Sequence, residues 1–436
     1  MARADDGGAC AEVGKLIVVF HRLGPYHFAR LKAVGRVFPT VGLELSCADD
    51  TYAWDFIEGE DGFQRITLFE DKDSRTQPAA EIVRRIRAAL EDCNPATVVV
   101  PGWADAGALA ALEWCVKRQV PAVIMSESTE WDEARVPWKE AIKERVVRMC
   151  SAGFVGGRPH AEYLVRLGMP RKHVFLGYDA VDNDYFRRKA EEARELEAGV
   201  RTKCGLPERF FLASARFVEK KNLARLIEAY GLYRKKAGGA ERKKEVWSLV
   251  LLGDGALKSD LCRLISDLSL QDCVLMPGFK QYDELPVYYG LASAFIHAST
   301  VEQWGLVVNE AMASGLPVLV SNRCGCAADL VREGVNGFTF DPDSVEQIAA
   351  LMCRVSWDGT REGEQNRGRV DHGLIPLTVH REAMGRASRE IIAGWGPERF
   401  ADGLRRAVET AIDGQIPRPR VFDRMLLRML IARGGA

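Results

Sequence analysis

Residues 293–322 read SAFIHASTVEQWGLVVNEAMASGLPVLVSN. Two runs of aliphatic and β-branched residues, SAFIHAS (293–299) and LPVLVSN (316–322), flank a segment that turns at Trp-Gly and continues as a helix. Neither run alternates apolar with polar, which is how a strand covered on both faces reads. Strand, turn, helix and strand form the repeating unit of a parallel sheet wound with helices. Similar runs precede it: FFLASARF (210–217), WSLVLLGDG (247–255) and CVLMPGF (273–279). An earlier series holds KLIVVF (15–20), TVVVPGW (97–103) and PAVIMSES (121–128). A charged stretch, RRKAEEARELEAGVRTK (187–203), divides the two series where an interdomain connection would fall. The sequence therefore predicts an α/β chain of two Rossmann-like doubly wound domains, at 1–190 and 191–414. Helical patterning is expected from Pro397 to Ile412, and the polar segment 356–373 reads as an insertion or loop.

Composition narrows the function classes. The chain has 436 residues, 47% hydrophobic and 28% charged, enough for two cores of ordinary size. Sixty Lys+Arg against 61 Asp+Glu leave a formal charge of −1, so no global basic field recruits nucleic acid. Eleven cysteines are scattered without zinc spacing, which predicts reduced thiols in a cytoplasmic protein. Cys324 and Cys326 read as packing thiols. The start, MARADDGGACAEVG, does not read as a signal peptide, and no apolar run is long enough to cross a bilayer. The pairs Asp71/Asp73, Asp182/Asp184 and Asp341/Asp343 read as turns or surface, so no metal site is expected.

Within 302–321, Glu302 and Glu310 stand on either side of the Trp-Gly turn. Eight residues of helix rise about 12 Å, so the two carboxylates cannot share one proton or one metal. They can hold opposite ends of an extended ligand. Between them lies a helix N-terminus, whose free N–H groups attract phosphate. A carboxylate, a phosphate cradle and a second carboxylate suit the sugar, diphosphate and ribose of a nucleotide-sugar.

This segment resembles the E-x7-E signature of the retaining GT-B glycosyltransferases of family 4 (glycosyl transferases group 1). The match runs through Glu302, Gly305, Leu306, Glu310, Ala311, Met312, Ala313, Gly315, Pro317 and Val318, with Trp304 in place of the usual Phe. The resemblance implies that Glu302 contacts the transferred sugar, Gly305 and Leu306 the phosphate side, and Glu310 the ribose diol. In ASARFVEKKN (213–222), Arg216 and Lys221 keep the family's five-residue spacing, although Ala215 replaces Gly. Two cations there would offset charge on a leaving diphosphate. Gly253 in LLGDG (251–255) lets backbone approach a ligand, and Gly278, Phe279 and Lys280 are candidates to flank the base.

The first half carries fainter signals. Gly24 and His27 resemble the family's Gly-rich first loop followed by His; His27 reads either as a donor to acceptor or diphosphate or as a helix-start residue facing solvent. Glu127 stands where many members carry His near the reacting sugar, and could accept from a sugar hydroxyl. In LGYDAVDNDYF (176–186), Val181, Asp182 and Phe186 match a hinge pattern whose Asn-Gly is absent. Trp103, Trp131 and Trp138 read as packing or sugar-stacking residues.

The resemblance implies two domains facing across a cleft, with 415–436 crossing back onto the first. It implies transfer of a hexose or hexosamine from a nucleoside-diphosphate sugar, UDP- or GDP-linked in preference to ADP-linked, to an acceptor hydroxyl of a glycan, lipid-linked or small-metabolite acceptor. No obligatory cofactor or metal is expected. Two rivals are a GT-B epimerase or phosphorylase and a non-catalytic nucleotide-sugar-binding protein. In VFDRMLLRMLIAR (421–433), Phe422, Met425, Leu426, Met429 and Leu430 are expected to pack on the first domain; the rival reading has Arg424, Arg428 and Arg433 gripping anionic lipid, a peripheral contact on the inner face of a membrane.

Overall fold

A computed structural model describes residues 14–47, 62–70, 72–237, 246–357 and 380–434. The expected insertion at 356–373 lies almost wholly outside them, as do Asp71 and the amino-terminal residues 1–13. In the first half the strands are β1 Leu16–Phe20, β2 Thr40–Ser46, β3 Gln64–Phe69, β4 Thr97–Pro101, β5 Ala122–Ser126, β6 Ala152–Val155 and β7 Val174–Leu176. The second half contributes β8 Phe210–Ser214, β9 Ser248–Leu252, β10 Val274–Gly278, β11 Ala294–His297, β12 Val318–Ser321 and β13 Gly337–Phe340.

The strands form two parallel sheets, ordered β3-β2-β1-β4-β5-β6-β7 and β10-β9-β8-β11-β12-β13. Each sheet winds outward from its first strand and then jumps back beside it. The order reverses between β1 and β4 and between β8 and β11, which is where open α/β sheets take their ligands. The unalternating strands are covered on both faces. Ile17 and Val19 enter one hydrophobic cluster, and Leu16, Val18 and Phe20 the opposite one. In the second sheet, Phe211 and Ala213 face one core while Phe210 and Leu212 face the other.

The chain changes domain at different points from those expected. Residue 190 falls inside the helix Asn183–Glu195. Its Phe186, with Val181 before it, packs in the second domain's core. The return begins before 415: the helix Pro397–Asp413 already buries Phe400, Leu404, Ala407, Val408 and Ala411 against the first sheet. Their spacing of three, four and one keeps them on one helical face.

The helix Val421–Arg433 also docks on the first domain, but in a rotation the sequence reading missed. Leu426, Leu427, Leu430 and Ile431 are the buried side chains, whereas Phe422, Met425 and Met429 face outward. The rotation is held by ion pairs from Arg428 to Glu113 (3.0 Å) and from Arg145 to Asp423 (2.7 Å).

Candidate active site

The loop after β11 turns Glu302 back toward the strand it has just left. Its Oε2 lies 3.0 Å from His297 Nε2, 3.3 Å from Ser299 Oγ and in direct ion-pair contact with Lys221 Nζ. Lys221 comes from the short turn Glu219–Lys221 after β8, and that turn is stitched to the β11 loop. Asn222 donates from Nδ2 to Ala298 O (3.1 Å), and Thr300 N–H donates to Lys220 O (2.9 Å). The two strand ends of the switch point thus bring one cation and one carboxylate together. Burial by itself would raise the Glu302 carboxyl, but the bond from His297 and the Lys221 charge hold it far below the usual carboxylate range. Burial keeps His297 neutral, so its Nε2–H is the donor.

Gly305 precedes the helix Leu306–Ala313 with φ +103°, a conformation natural to glycine, and lets the chain leave Glu302 and enter the helix within three residues. Leu306 and Val307 at the helix start remain partly open, while Glu310 is fully buried. Glu310, expected to hold the far end of an extended ligand, is thus enclosed by protein in the structure. Its Oε1 accepts from Tyr26 Oη, and its Oε2 from Tyr289 Oη at 2.6 Å. Burial pushes this carboxyl up to about 7, with the two tyrosine hydroxyls pulling it only partly back. Tyr26 belongs to the first domain, yet its ring packs in the second domain's core, edge-on to Tyr282.

The other predicted residues separate into distinct places. Arg216 lies exposed in the loop after β8. Gly253 donates its N–H to Gly278 O, and a Cβ there would meet Ala215 O at 1.9 Å, so its glycine serves the packing of two loops. Gly278, by contrast, faces open space at the end of β10; Phe279 beside it is 41% exposed, and Lys280 reaches Glu284 at 3.3 Å. Gly24 caps the helix Pro25–Gly35, and its N–H donates to His27 Nδ1 at 3.1 Å. Burial, aided by the Arg30 charge, lowers His27 to about 3. The ring is neutral, partly exposed, and left with an Nε2–H to give. The loop ahead is held by Glu44, which accepts from Leu23 N–H (2.9 Å), Thr67 Oγ1 (2.6 Å) and Arg65 Nε (2.7 Å).

Glu127 follows β5 and faces a residue the sequence reading did not single out, Asp179. Both oxygens of Asp179 are buried without a hydrogen-bond donor, and Arg30 Nη2 stands 3.9 Å away. Burial, reinforced by the Glu127 charge, pushes the Asp179 carboxyl well above the usual range. Asp179 occupies the first position of the absent Asn-Gly pair, so the two departures from the family pattern meet in space. His160 was also missed. It caps Gly157 through Nδ1 (3.1 Å) and crosses the cleft to Gln303 O through Nε2 (2.8 Å). The pattern Gly-x-x-His at 24–27 recurs at 157–160, a signal that could have found it. Trp304, at the family's Phe position, is a wedge between domains: it bonds Asn309 Oδ1 (2.9 Å) and packs on His160 and Trp395. Asp329 accepts from Arg158 across the same seam at 2.8 Å.

Cys324 and Cys326 are buried free thiols whose ionisation burial opposes. Trp103 is buried, while Trp131 and Trp138 are exposed. Among the described residues no group of three or more His, Cys, Asp or Glu side chains could hold a metal ion, and no helix is long and apolar enough to cross a membrane.

Comparison with known proteins bears on this geometry. Residues 201–367 match the family model for glycosyl transferases group 1. The amylovoran biosynthesis glycosyltransferase AmsK of Erwinia amylovora is 28% identical over 199 residues, 44% of each chain. A GDP-mannose-dependent α-(1-6)-phosphatidylinositol monomannoside mannosyltransferase of Mycobacterium tuberculosis is 30% identical over 189 residues, 42% of this chain and 46% of that one. The chain thus spans a little under half the length of these curated relatives. Among solved structures, Anabaena HepE in complex with UDP superimposes with a TM-score of 0.65 at 16% identity, covering 90% of this chain and 98% of that one. This is a two-domain GT-B protein whose second domain carries the glycosyl transferases group 1 match.

Proposed function

We propose that the protein is a retaining glycosyltransferase of family 4 that moves a hexose or hexosamine from a nucleoside-diphosphate sugar to an acceptor hydroxyl. The observation that carries this reading is the Glu302 cradle: an ionised carboxylate against Lys221 and His297 at the switch point of the second sheet. Glu302 contacts the transferred sugar. Lys221 and Arg216 meet the diphosphate together with the open start of the helix Leu306–Ala313, opposing charge that grows as the glycosidic bond breaks. The bond from anomeric carbon to phosphate oxygen breaks as the acceptor oxygen bonds on the same face, and the leaving phosphate oxygen takes the acceptor proton. The neutral His27 gives an Nε2–H to acceptor or diphosphate. Glu127, with Asp179 behind it, accepts from a sugar hydroxyl. Gly278, Phe279 and Lys280 flank the base.

In this reading Glu310 holds the ribose diol, which requires Tyr26 to give up its place on that carboxylate. Donor entry is therefore tied to a shift of the first domain's opening loop. A UDP- or GDP-sugar is favoured over an ADP-sugar, because the mycobacterial relative is named for GDP-mannose and HepE was solved with UDP. Acceptor-dependent release of nucleoside diphosphate from a panel of UDP-, GDP- and ADP-sugars tests the reading. Release with retention at the anomeric carbon, undiminished by EDTA, is expected. Donor binding without release would leave a non-catalytic binding protein, and loss of release on chelation would mean that Arg216 and Lys221 do not suffice at the diphosphate.

A further inference from the structure

The helix Val421–Arg433 has two apolar faces, and the fold uses one. Opposite the docked leucines, Val421, Phe422, Met425 and Met429 are 74%, 60%, 64% and 44% exposed. At 100° per residue these four share an arc of about 100°. Arg424 and Arg428 border that arc on one side, and Arg433 on the other. The ridge continues onto the neighbouring helix Pro137–Val147, whose Arg145 guanidinium lies 4.9 Å over the Phe422 ring. Two turns earlier on the same side stands Trp138, 61% exposed, with the Lys139 ammonium 5.8 Å from its ring.

Charge decides what this ridge fits. Residues 418–433 hold five arginines and one aspartate in a chain whose formal charge is −1. Asp423 is paired with Arg145 and Arg428 with Glu113, and the neighbouring helix adds Glu140 and Glu144 beside Lys139, Lys143 and Arg145, so the surface stays net positive. An apolar ridge bordered by guanidinium groups, with a tryptophan at its end, matches the boundary of an anionic bilayer. There the apolar side chains enter the acyl edge while the cations meet phosphates.

We propose that this ridge docks the protein on an anionic lipid surface. The docking also orients the cleft. The loop that leads from β5 to Trp138 touches the second domain, with Gln303 Nε2 at 3.4 Å from Asp132 Oδ2. Trp138, at the start of the helix that follows β5, stands toward the carboxyl-terminal edge of the first sheet, and a docked molecule holds that edge beside the lipid. Only the corollary that the acceptor is presented at that surface rests on the transferase reading; the docking does not.

Co-sedimentation of the full chain with vesicles tests the proposal, using phosphatidylcholine alone or with about 30% phosphatidylglycerol. Binding is expected to the anionic vesicles and to weaken with salt. The double variant Phe422→Ser/Met425→Ser, and separately Arg424→Glu, should weaken it by about tenfold or more with an unchanged melting temperature, because these side chains lie outside the core. Equal binding to neutral and anionic vesicles, or no binding to either, would overturn the proposal. So would variants that bind as the native chain does. A native chain that is dimeric without lipid, with monomeric variants, would assign the ridge to a second copy instead.

Discussion

Glu302 and Glu310 lie on the same turn-and-helix segment, and the structure gives them opposite surroundings. Glu302 sits among a lysine, a histidine and a serine, and is held ionised beside the switch point. Glu310 sits among tyrosines, fully buried, and balances near neutrality. One environment supplies charge to oppose charge, whereas the other supplies hydroxyl dipoles inside an aromatic cage. The same side chain therefore serves two kinds of task, and spacing along the helix says nothing about which. What separates them is the source of the partners: Lys221 comes from the neighbouring strand end of the same domain, Tyr26 from the opposite domain.

The largest expected effect falls on the ionised member. Glu302→Ala should lower kcat by about a hundredfold or more, while nucleoside-diphosphate affinity changes little, since its contact is with the sugar. Turnover and calorimetric titration with the free nucleoside diphosphate measure the two quantities separately. An equal loss of affinity in Glu302→Ala and Glu310→Ala would erase the distinction between the two carboxylates.

The buried member should reveal itself in stability against pH. Its folded value of about 7 exceeds the ordinary 4.5. Below pH 4.5 the group is protonated in both states and contributes no penalty. Between 4.5 and 7 the unfolded chain releases the proton while the folded one keeps it, so stability falls as pH rises. The loss is complete above 7 and amounts to about 3 kcal/mol. Glu310→Gln should remove that slope, as measured by denaturant unfolding at pH 4.5, 6 and 8. A variant that retains the native pH dependence would show that the loss comes from other groups.

The unequal legibility of these two sites has a physical cause. Strands such as LIVVF and SLVLL could be read because both faces are buried, which produces an unbroken apolar run. Strands β2, β3, β6, β7 and β13 escaped: TVGLELS carries Gly42 and the buried Glu44, and AGFV, VFL and GFTF are only three or four residues long. Glu302 and Lys221 were legible because local spacing at strand ends carries them. Tyr26, Asp179 and His160 were not, because their importance arises from contacts with residues more than a hundred positions away or from the opposite domain. The terminal helix shows the same limit. Its apolar residues could be found, but choosing which of its two stripes docks required Glu113 and Arg145 in place.

The smallest expected effect concerns the cross-domain bond itself. Tyr26 Oη occupies Glu310 in the ligand-free protein, and the proposed ribose diol needs the same oxygens. A hydrogen bond that must break before a ligand binds reduces affinity by its own net strength, about 0.5–1.5 kcal/mol, or more toward an ionised carboxylate. Tyr26→Phe removes the bond while keeping the ring that packs against Tyr282. Nucleoside-diphosphate affinity should therefore rise about two- to tenfold. The unliganded protein should lose stability by a comparable amount, because the fully buried Glu310 keeps only Tyr289. The two shifts should be opposite in sign, which separates this reading from a simple loss of packing. If affinity falls instead, Tyr26 stays in contact with bound nucleotide and helps to hold it, and Glu310 would be a residue that joins the domains instead of one that Tyr26 blocks.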